Sequence, residues 1–348
     1  MNILAVGINH KTSSIDIRER FFLQPLEREL LVNELLKDPR IIEAFVLSTC
    51  NRTEIYANAI EDQPQLLMKA LFKIKKVPLS ADLAGHFYTL SSRQAIDHLL
   101  RVTTGLDSLV VGEKQILGQV KEAFEFSRSK GALSKTFNVL SNLVVQTGKK
   151  ARHETQIDFG GSSVSWASVM MAQDILGSLQ DKAVLILGSG KMGRLAVEQL
   201  AKKGVAKIYI MNRTIEKAQE LARESGGIAV GIWDIKEILQ QVDACICSAS
   251  CTHHLIEKDL VEAAMAARPS RPLVCIDISM PRNIAPEVAE VGNVRLATVD
   301  DLDRIVESNM QKRMSAVALV EGLIDRKIDE FYKTMEKITL IKEELWKA

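Results

Sequence analysis

The 348-residue chain lacks any apolar run long enough to span a membrane. Its opening, MNILAVGINHKT, has no basic segment ahead of an apolar core. Neither a membrane anchor nor export is expected, and NILAVGI reads as a buried strand. An excess of one charge is also missing: 45 Lys+Arg face 44 Asp+Glu, a net +1. No overall field would draw the molecule to nucleic acid or an anionic membrane, so any such binding needs a local patch. Cysteine is scarce. The five, Cys50, Cys245, Cys247, Cys251 and Cys275, sit in a chain too large to need disulfide staples, which points to a reducing, cytoplasmic setting. Internal repeats and low-complexity segments are absent. What is present is 47% hydrophobic content, enough for sizeable cores, and a length that favours two or three domains.

The first half mixes short strand-like runs (Ile3 to Ile8, Phe45 to Leu47, Glu54 to Asn58) with amphipathic stretches such as LERELLVNELLKD and SSRQAIDHLLRV, the pattern of an α+β domain. From Leu133 to Met171 the sequence becomes helical, and Gly160 with Gly161 reads as a break between two helices. The next stretch, DKAVLILGSGKMGRLAVEQLAKKGVAKIYIMNRT, is a strand, a glycine turn, a helix and a strand, a βαβ unit. DACICSAS and PLVCIDIS follow as further buried parallel strands. From Asp300 onward the chain reads as helix, with a stripe of Ile305, Met310, Met314, Val317, Leu319, Val320, Leu323, Ile324, Ile328 and Phe331. Such a stripe needs a surface to cover it.

Gly188, Gly190 and Gly193 form G-x-G-x-x-G between the required strand and the required helix. The first permits a tight turn, the second lets backbone approach a pyrophosphate, and the third lets helix and sheet pack closely. Ser189, Lys191 and Met192 complete the loop, whose helix N-terminus would face the phosphates. Where an NAD site offers an acidic residue to the ribose, this chain has Asn212, Arg213 and Thr214. Arg213 can pair with a 2′-phosphate that an acid would repel, so NADPH is expected over NADH.

LSTCNRTEIY places Cys50 at the end of an apolar run, flanked by Thr49, Asn51 and Arg52. Two readings stand: a small core filler, or a thiolate favoured by the neighbouring guanidinium. GLDSLVVGEKQILGQVKEAF sets Asp107, Ser108, Glu113, Gln115 and Gln119 among apolar residues and three glycines, which together read as a pocket wall. Cys245 and Cys247 fall on one face of a buried strand and are expected in the core. No complete set of metal ligands at familiar spacing accompanies Cys251, His253 and His254, and no metal is assigned.

GINHKT, LSTCNRTEIY, GLDSLVVGEKQILGQVKEAF, GSGKMG, NRT and ISMPRNIAPEV occur in this order over nearly the whole chain. In that set and order the sequence resembles the glutamyl-tRNA reductase family. The resemblance implies an α/β multidomain protein: an N-terminal α+β catalytic domain at 1–155, a Rossmann-type NADP-binding domain at 156–299, and a helical dimerisation segment at 300–348, short for the family. It implies NADPH-dependent reduction of glutamyl-tRNA(Glu) to glutamate-1-semialdehyde through a cysteine thioester, the first step of the five-carbon route to tetrapyrroles. Cys50 falls on the family's nucleophile, His98 on a histidine important for activity, and Thr49, Asn51, Arg52, Ser108, Glu113, Lys114, Gln115 and Gln119 on its substrate contacts. Lys114 replaces the family's usual proline.

Elementary chemistry agrees with that implication. An aminoacyl ester is an activated acyl group that a thiolate can take, and a nicotinamide domain can then supply hydride. Arg52 suits either a substrate carboxylate or the thiolate, and His98 could pass a proton to the leaving hydroxyl. A homodimer and an aminotransferase that receives the aldehyde are expected partners. Residues 1–155 hold 21 basic and 17 acidic residues, with clusters at Lys73, Lys75, Lys76 and at Lys149, Lys150, Arg152 that read as phosphate contacts for tRNA or as solvated helix faces.

Overall fold

In a computed structural model, residues 2–155, 157, 163–302 and 314–347 are described. Gly160, Gly161, Ile305 and Met310, singled out above, lie outside them. The chain divides into two compact units, Met1–Gly160 with Asn309–Ala348, and Gly161–Ser308.

The first unit comprises β1 (Asn2–Asn9), α1 (Ile15–Phe21), α2 (Pro25–Leu36), β2 (Ile41–Ser48), β3 (Arg52–Ala59), α3 (Gln65–Lys75), α4 (Ala81–Ala84), β4 (Tyr88–Ser91), α5 (Ser92–Thr104), α6 (Gln115–Ser129) and α7 (Lys135–Thr155). Its four strands pair antiparallel in the order β2-β3-β1-β4. Strand sequences without polar alternation mean that both faces of the sheet are covered. Leu4, Val6, Ile8, Val46, Ile55 and Ala57 meet Phe21, Leu31, Leu35, Leu71 and Phe72 on one side. On the other, Ile3, Ala5, Phe45, Leu47 and Tyr56 meet the buried faces of α5, α6 and α7. Each such large apolar side chain contributes about 1.5–3 kcal/mol of burial.

One polar group interrupts this sheet for a reason. A register irregularity between Ile41 and Glu43 leaves Ile42 exposed and turns Glu43 inward. The Glu43 carboxylate accepts from the Ser134 and Phe137 backbone N–H groups at 2.6 and 2.9 Å and from Asn58 at 2.8 Å. It therefore caps the N-terminus of α7 from the sheet, where the helix dipole favours an anion.

The last helix of the second half of the sequence, written α13 (Met314–Lys347), packs within this first unit. Val320, Leu323, Ile324, Ile328 and Phe331 are buried in the core shared with α5 and α7. Met314 and Leu319, expected in the same stripe, are exposed instead. The surface that covers the stripe is thus the chain's own, and the segment does not stand apart from the N-terminal unit as the sequence division at 300 expects.

The second unit comprises α8 (Val164–Leu176), β5 (Ala183–Leu187), α9 (Lys191–Lys202), β6 (Lys207–Met211), α10 (Ile215–Ser225), β7 (Ile228–Val230), α11 (Ile235–Gln241), β8 (Ala244–Cys247), α12 (Lys258–Met265), β9 (Leu273–Asp277) and β10 (Val294–Thr298). All six strands are parallel, in the order β7-β6-β5-β8-β9-β10. This is the doubly wound Rossmann order, and the crevice it opens beyond the carboxyl ends of β5 and β8 is where such sheets hold ligands. Cys245, Cys247 and Cys275 are fully buried in its core, as their pattern predicts. Among the described residues no helix is long and apolar enough to cross a membrane.

Candidate active site

β2 and β3 form a hairpin whose tip is the run Thr49 to Arg52. The Thr49 N–H donates to the Arg52 carbonyl at 2.8 Å, and the Asn51 N–H donates to Thr49 Oγ1 at 3.2 Å. Cys50 and Asn51 are thereby the two residues at the turn. Cys50 is partly exposed there, while Thr49, Asn51 and Arg52 are buried.

Alternation along β3 sends Arg52, Glu54 and Tyr56 to one face. Arg52 Nη1 reaches Glu54 Oε1 at 2.8 Å and Asp107 Oδ2 at 3.0 Å, and its Nη2 donates to the Asp107 carbonyl. Glu54 also accepts from Tyr56 Oη at 2.7 Å, from Tyr88 Oη at 2.5 Å and from His98 Nε2 at 2.9 Å. A carboxylate only accepts, so His98 carries its proton on Nε2. Burial opposes the ionisation of Glu54, but Arg52, His98 and Tyr88 outweigh it and hold the carboxyl well below its usual range. Asp107 is likewise desolvated yet lowered by Arg52 and Lys11. The network needs Gly7: a Cβ there would lie 2.6 Å from Tyr88 Oη and 2.8 Å from Glu54 Cγ.

The loop after α5 supplies the opposite wall. Gly105 ends α5 at φ +86°, and the Gly112 N–H returns to its carbonyl at 3.0 Å. Arg152 of α7 donates to the Thr103 carbonyl at 3.2 Å and to the Glu113 carbonyl at 2.8 Å, which pins both ends of this loop. It holds Ser108 and Glu113 buried, and Gln115 buried at the start of α6 with Gln119 one turn further on. Lys114 is exposed. Three side chains here are at least nine-tenths buried yet have polar atoms with no hydrogen-bond partner among the described residues: Asn51 Oδ1, Ser108 Oγ and Gln115 Nε2. Such orphans carry a desolvation cost of about 1–3 kcal/mol each, which a bound polar ligand would relieve.

The Arg52 guanidinium does favour the Cys50 thiolate, as expected, but larger influences outweigh it. Burial and Glu113 push the thiol up to about 12, against the smaller opposing effects of Arg18, a backbone hydrogen bond and Arg52. Arg52 is itself paired with Glu54 and Asp107. The sequence reading missed Gly7, His10, Glu54 and Tyr88 as parts of this site. Glu54 was available from the period of two that starts at Arg52; Gly7 and Tyr88 become neighbours only through strand pairing.

The second unit presents a cavity of about 490 Å³ at its crevice. Gly188, Ser189, Gly190, Asn212, Arg213 and Thr214 line it, joined by Lys217 of α10 and the turn after β8 at Ser248–Cys251. Lys191, Met192 and Gly193 lie behind, at the start of α9. A Cβ on Gly193 would sit 1.8 Å from the Gly188 carbonyl oxygen, whereas one on Gly190 would meet no protein atom. Gly193 is thus required by the protein, and Gly190 leaves space open to a ligand. Ser189 Oγ is buried without a partner. An anionic dinucleotide fits this set: an orphaned hydroxyl, an open glycine, a helix N-terminus, and Arg213 with Lys217 at the rim. Cys251 Sγ lies 3.3 Å from His253 Nδ1 at the other end of the cavity lining.

The basic clusters meet mixed fates. Lys73 pairs with Glu34 at 2.5 Å and Lys75 with Glu27 at 2.7 Å. Arg152 turns inward as described, while Lys149 and Lys150 are exposed, Lys150 3.6 Å from Glu154. Arg152 is therefore a staple for the loop and not part of a phosphate-facing cluster.

Comparison with known proteins covers both units. Residues 6–155 match the family model of the glutamyl-tRNA(Glu) reductase N-terminal domain, and residues 170–305 that of shikimate/quinate 5-dehydrogenase. A glutamyl-tRNA reductase of Natranaerobius thermophilus is 38% identical over 98% of this chain and 76% of its own length. That of Bacillus subtilis is 39% identical over 98% of this chain and 75% of its own. The solved glutamyl-tRNA reductase of Methanopyrus kandleri is 31% identical, covers 97% of this chain and 81% of its own, and superposes with a TM-score of 0.54. On near-full-length similarity of this kind, carried by both units, the chain belongs to the glutamyl-tRNA reductase family of oxidoreductases.

Proposed function

We propose that the protein reduces glutamyl-tRNA(Glu) to glutamate-1-semialdehyde and frees the tRNA, the first step of the five-carbon route to tetrapyrroles. The observation that carries this reading is Cys50 at a hairpin tip next to Asn51, with Ser108 on the loop that Asp107 ties to Arg52 and Gln115 at the start of α6; among the described residues Asn51 Oδ1, Ser108 Oγ and Gln115 Nε2 are buried and have no hydrogen-bond partner. Two donors and one acceptor in this site suit an aminoacyl group. Ser108 O–H and Gln115 N–H can bind carboxylate or carbonyl oxygen, and Asn51 Oδ1 with the Glu113 carboxylate can accept from the α-ammonium.

Cys50 Sγ attacks the ester carbonyl, and the ribose oxygen departs to leave a thioester. Thr49 fixes the turn that presents the sulfur. Arg52, saturated by Glu54 and Asp107, positions that turn and the opposite wall against each other. Of its two sequence roles, a grip on the substrate carboxylate would require it to leave two buried partners. His98, whose Nε2 is engaged by Glu54, would meet substrate or water through its other ring nitrogen. Gln119 extends the wall by one helical turn, and exposed Lys114 would serve as a substrate contact on its outer side.

Gly188 to Gly193, with Arg213 and Thr214, would hold NADPH, which when bound would supply hydride for reduction of the acyl group to the aldehyde level. Arg213 and Lys217 would serve a 2′-phosphate, Asn212 the ribose, and the α9 N-terminus the pyrophosphate. A homodimer would use the outer face of α13, where Leu319, Leu340 and Ile341 are exposed, since the inner stripe is already covered. The aldehyde product is reactive, which favours transfer to an aminotransferase partner.

The test is Cys50→Ser. Mass spectrometry of wild-type protein mixed with charged tRNA and no coenzyme should find a glutamyl adduct on Cys50. The variant should form none and produce no semialdehyde while binding NADPH normally. Semialdehyde from the variant would overturn the proposal.

A further inference from the structure

The mechanism above leaves the proton of a thiol with a high pKa unassigned. We propose that His10 is the proton shuttle of acyl transfer: it accepts the Cys50 Sγ proton once a carboxylate-bearing acyl group is bound and returns it to the departing ribose oxygen. This inference rests on the reading of Cys50 as the nucleophile.

His10 follows β1, whose last pair sets Asn9 opposite Arg52. One residue further, the His10 N–H donates to the Asn51 carbonyl at 3.0 Å, so the histidine is tied to the residue next to Cys50. Among the described residues its buried Nδ1 has no hydrogen-bond partner, although the ring as a whole is partly exposed. The ring also lies within the fields of Arg52 and Asp107, so an uncommitted ring nitrogen shares the surroundings of the candidate site. His98 differs in this respect, because Glu54 and Tyr88 engage its Nε2 at 2.9 and 3.1 Å.

The charges around His10 explain why the shuttle would wait for substrate. Burial and Arg52 lower the imidazole to about 4, Lys11 and Arg18 add to this, and Asp107 opposes it. In the free protein the ring is neutral and a poor acceptor for the Cys50 proton. A substrate carboxylate bound near this group of charges would offset them and favour the imidazolium. Proton transfer then gives thiolate and imidazolium with no change in total charge. The thiolate forms the S–C bond, the C–O ester bond breaks, and the leaving oxygen takes the proton from His10, which ends neutral. An acyl group without a side-chain carboxylate would leave His10 neutral throughout, so proton transfer itself would discriminate among aminoacyl-tRNAs.

The experiment compares wild type, His10→Asn and His10→Gln by rapid quench of the glutamyl adduct without coenzyme, between about pH 6 and 10. In parallel, iodoacetamide alkylation of Cys50 is measured with no tRNA present. Both variants should acylate about 100-fold more slowly yet alkylate at the wild-type rate, because the neutral ring is idle without substrate. Their residual acylation should climb with pH, while that of wild type levels off. Wild type offered glutaminyl-tRNA should acylate no faster than the variants do with glutamyl-tRNA. Variants that acylate normally, or that lose acylation and alkylation by one factor with an unchanged pH profile, would overturn the shuttle alone. A wild type that forms no adduct would overturn the nucleophile reading as well.

Discussion

The two candidate sites are made of different material. In the second unit the cavity is shaped by backbone: glycines without side chains, a helix terminus, and the fork in strand order beside β5. In the first unit the site is shaped by side-chain charge, with Arg52, Glu54, Asp107 and His98 locked together beneath a hairpin tip. A backbone site can be written in spacing alone. A charge site depends on which strands and loops meet, and local sequence does not state that.

The sharpest way to break the contrast is to remove charge from one unit. Glu54 accepts from four side chains in the interior, and breaking a buried network of this kind typically costs about 3–5 kcal/mol. Glu54→Ala should show that loss in urea unfolding; a loss below about 1 kcal/mol, the scale of a surface pair, would mean the network contributes little. The backbone counterpart is a pair of glycine variants. Gly193→Ala drives a Cβ to 1.8 Å from a carbonyl oxygen and should cost about 1–3 kcal/mol by overpacking. Gly190→Ala meets nothing in the protein, so its stability should hold while NADPH affinity falls. Equal stability losses at the two positions would show that the space over Gly190 is not reserved for a ligand.

Acid should also separate the units, with opposite signs. Glu54 and Asp107 titrate lower in the folded state than in the unfolded chain. Their stabilisation is complete above the unfolded values of about 4 and is lost as pH falls through the depressed ones. Asp277 in the second unit is raised, because burial exceeds the help of its hydrogen bonds from Ser279, Ile284 and Asn283. A raised carboxyl takes up its proton more readily when folded, so acidification favours the fold there. The advantage of wild type over Glu54→Gln should therefore shrink below about pH 4, and its advantage over Asp277→Asn should grow. Melting temperatures at stepped pH measure both; parallel curves would show that neither carboxyl is linked to folding.

How far the sequence carried the reading follows the same division. The strand, glycine turn and helix around Gly188 gave the Rossmann unit, and the Arg213 position at its rim, from spacing. Cys50 and the Ser108 to Gln119 wall could be marked as pocket residues but not explained. The nearby Arg52 suggested an activated thiolate; in the fold it is paired with Glu54 and Asp107, and burial raises the thiol to about 12. Arg152 looked like a tRNA contact because its neighbours are basic, yet it reaches three backbone carbonyls. The stripe on α13 correctly announced a buried face, though nothing local says that α5 and α7 would cover it. In each case the missing information was a long-range pairing.

The thiol itself gives a test of intermediate size. With Cys50 at about 12, iodoacetamide should modify the free protein slowly near neutrality, the rate rising about tenfold per pH unit toward 10 because only the thiolate reacts. Removing the like charge with Glu113→Gln should speed alkylation at fixed pH by several-fold; no change would mean desolvation alone sets the thiol.

The smallest expected effect concerns the charged side chains at the rim of the second unit's cavity. Arg213 and Lys217 are side chains at the rim of a backbone site, Arg213 and Lys217 both well exposed. Exposed ion pairs are screened, and each is worth about 0.2–1 kcal/mol, more where a guanidinium binds phosphate oxygens in two-pronged geometry. Arg213→Ala should then weaken NADPH by about 10-fold, near 1.4 kcal/mol, and leave NADH unchanged. Lys217→Ala should cost only a few-fold. Because the contribution is electrostatic and exposed, the wild-type preference should narrow as salt rises, whereas the Gly190→Ala defect, being steric, should not. If salt leaves the preference untouched, the 2′-phosphate is recognised by shape at Asn212 and Thr214, and the cavity of the second unit would select its ligand without help from the exposed charges at its rim.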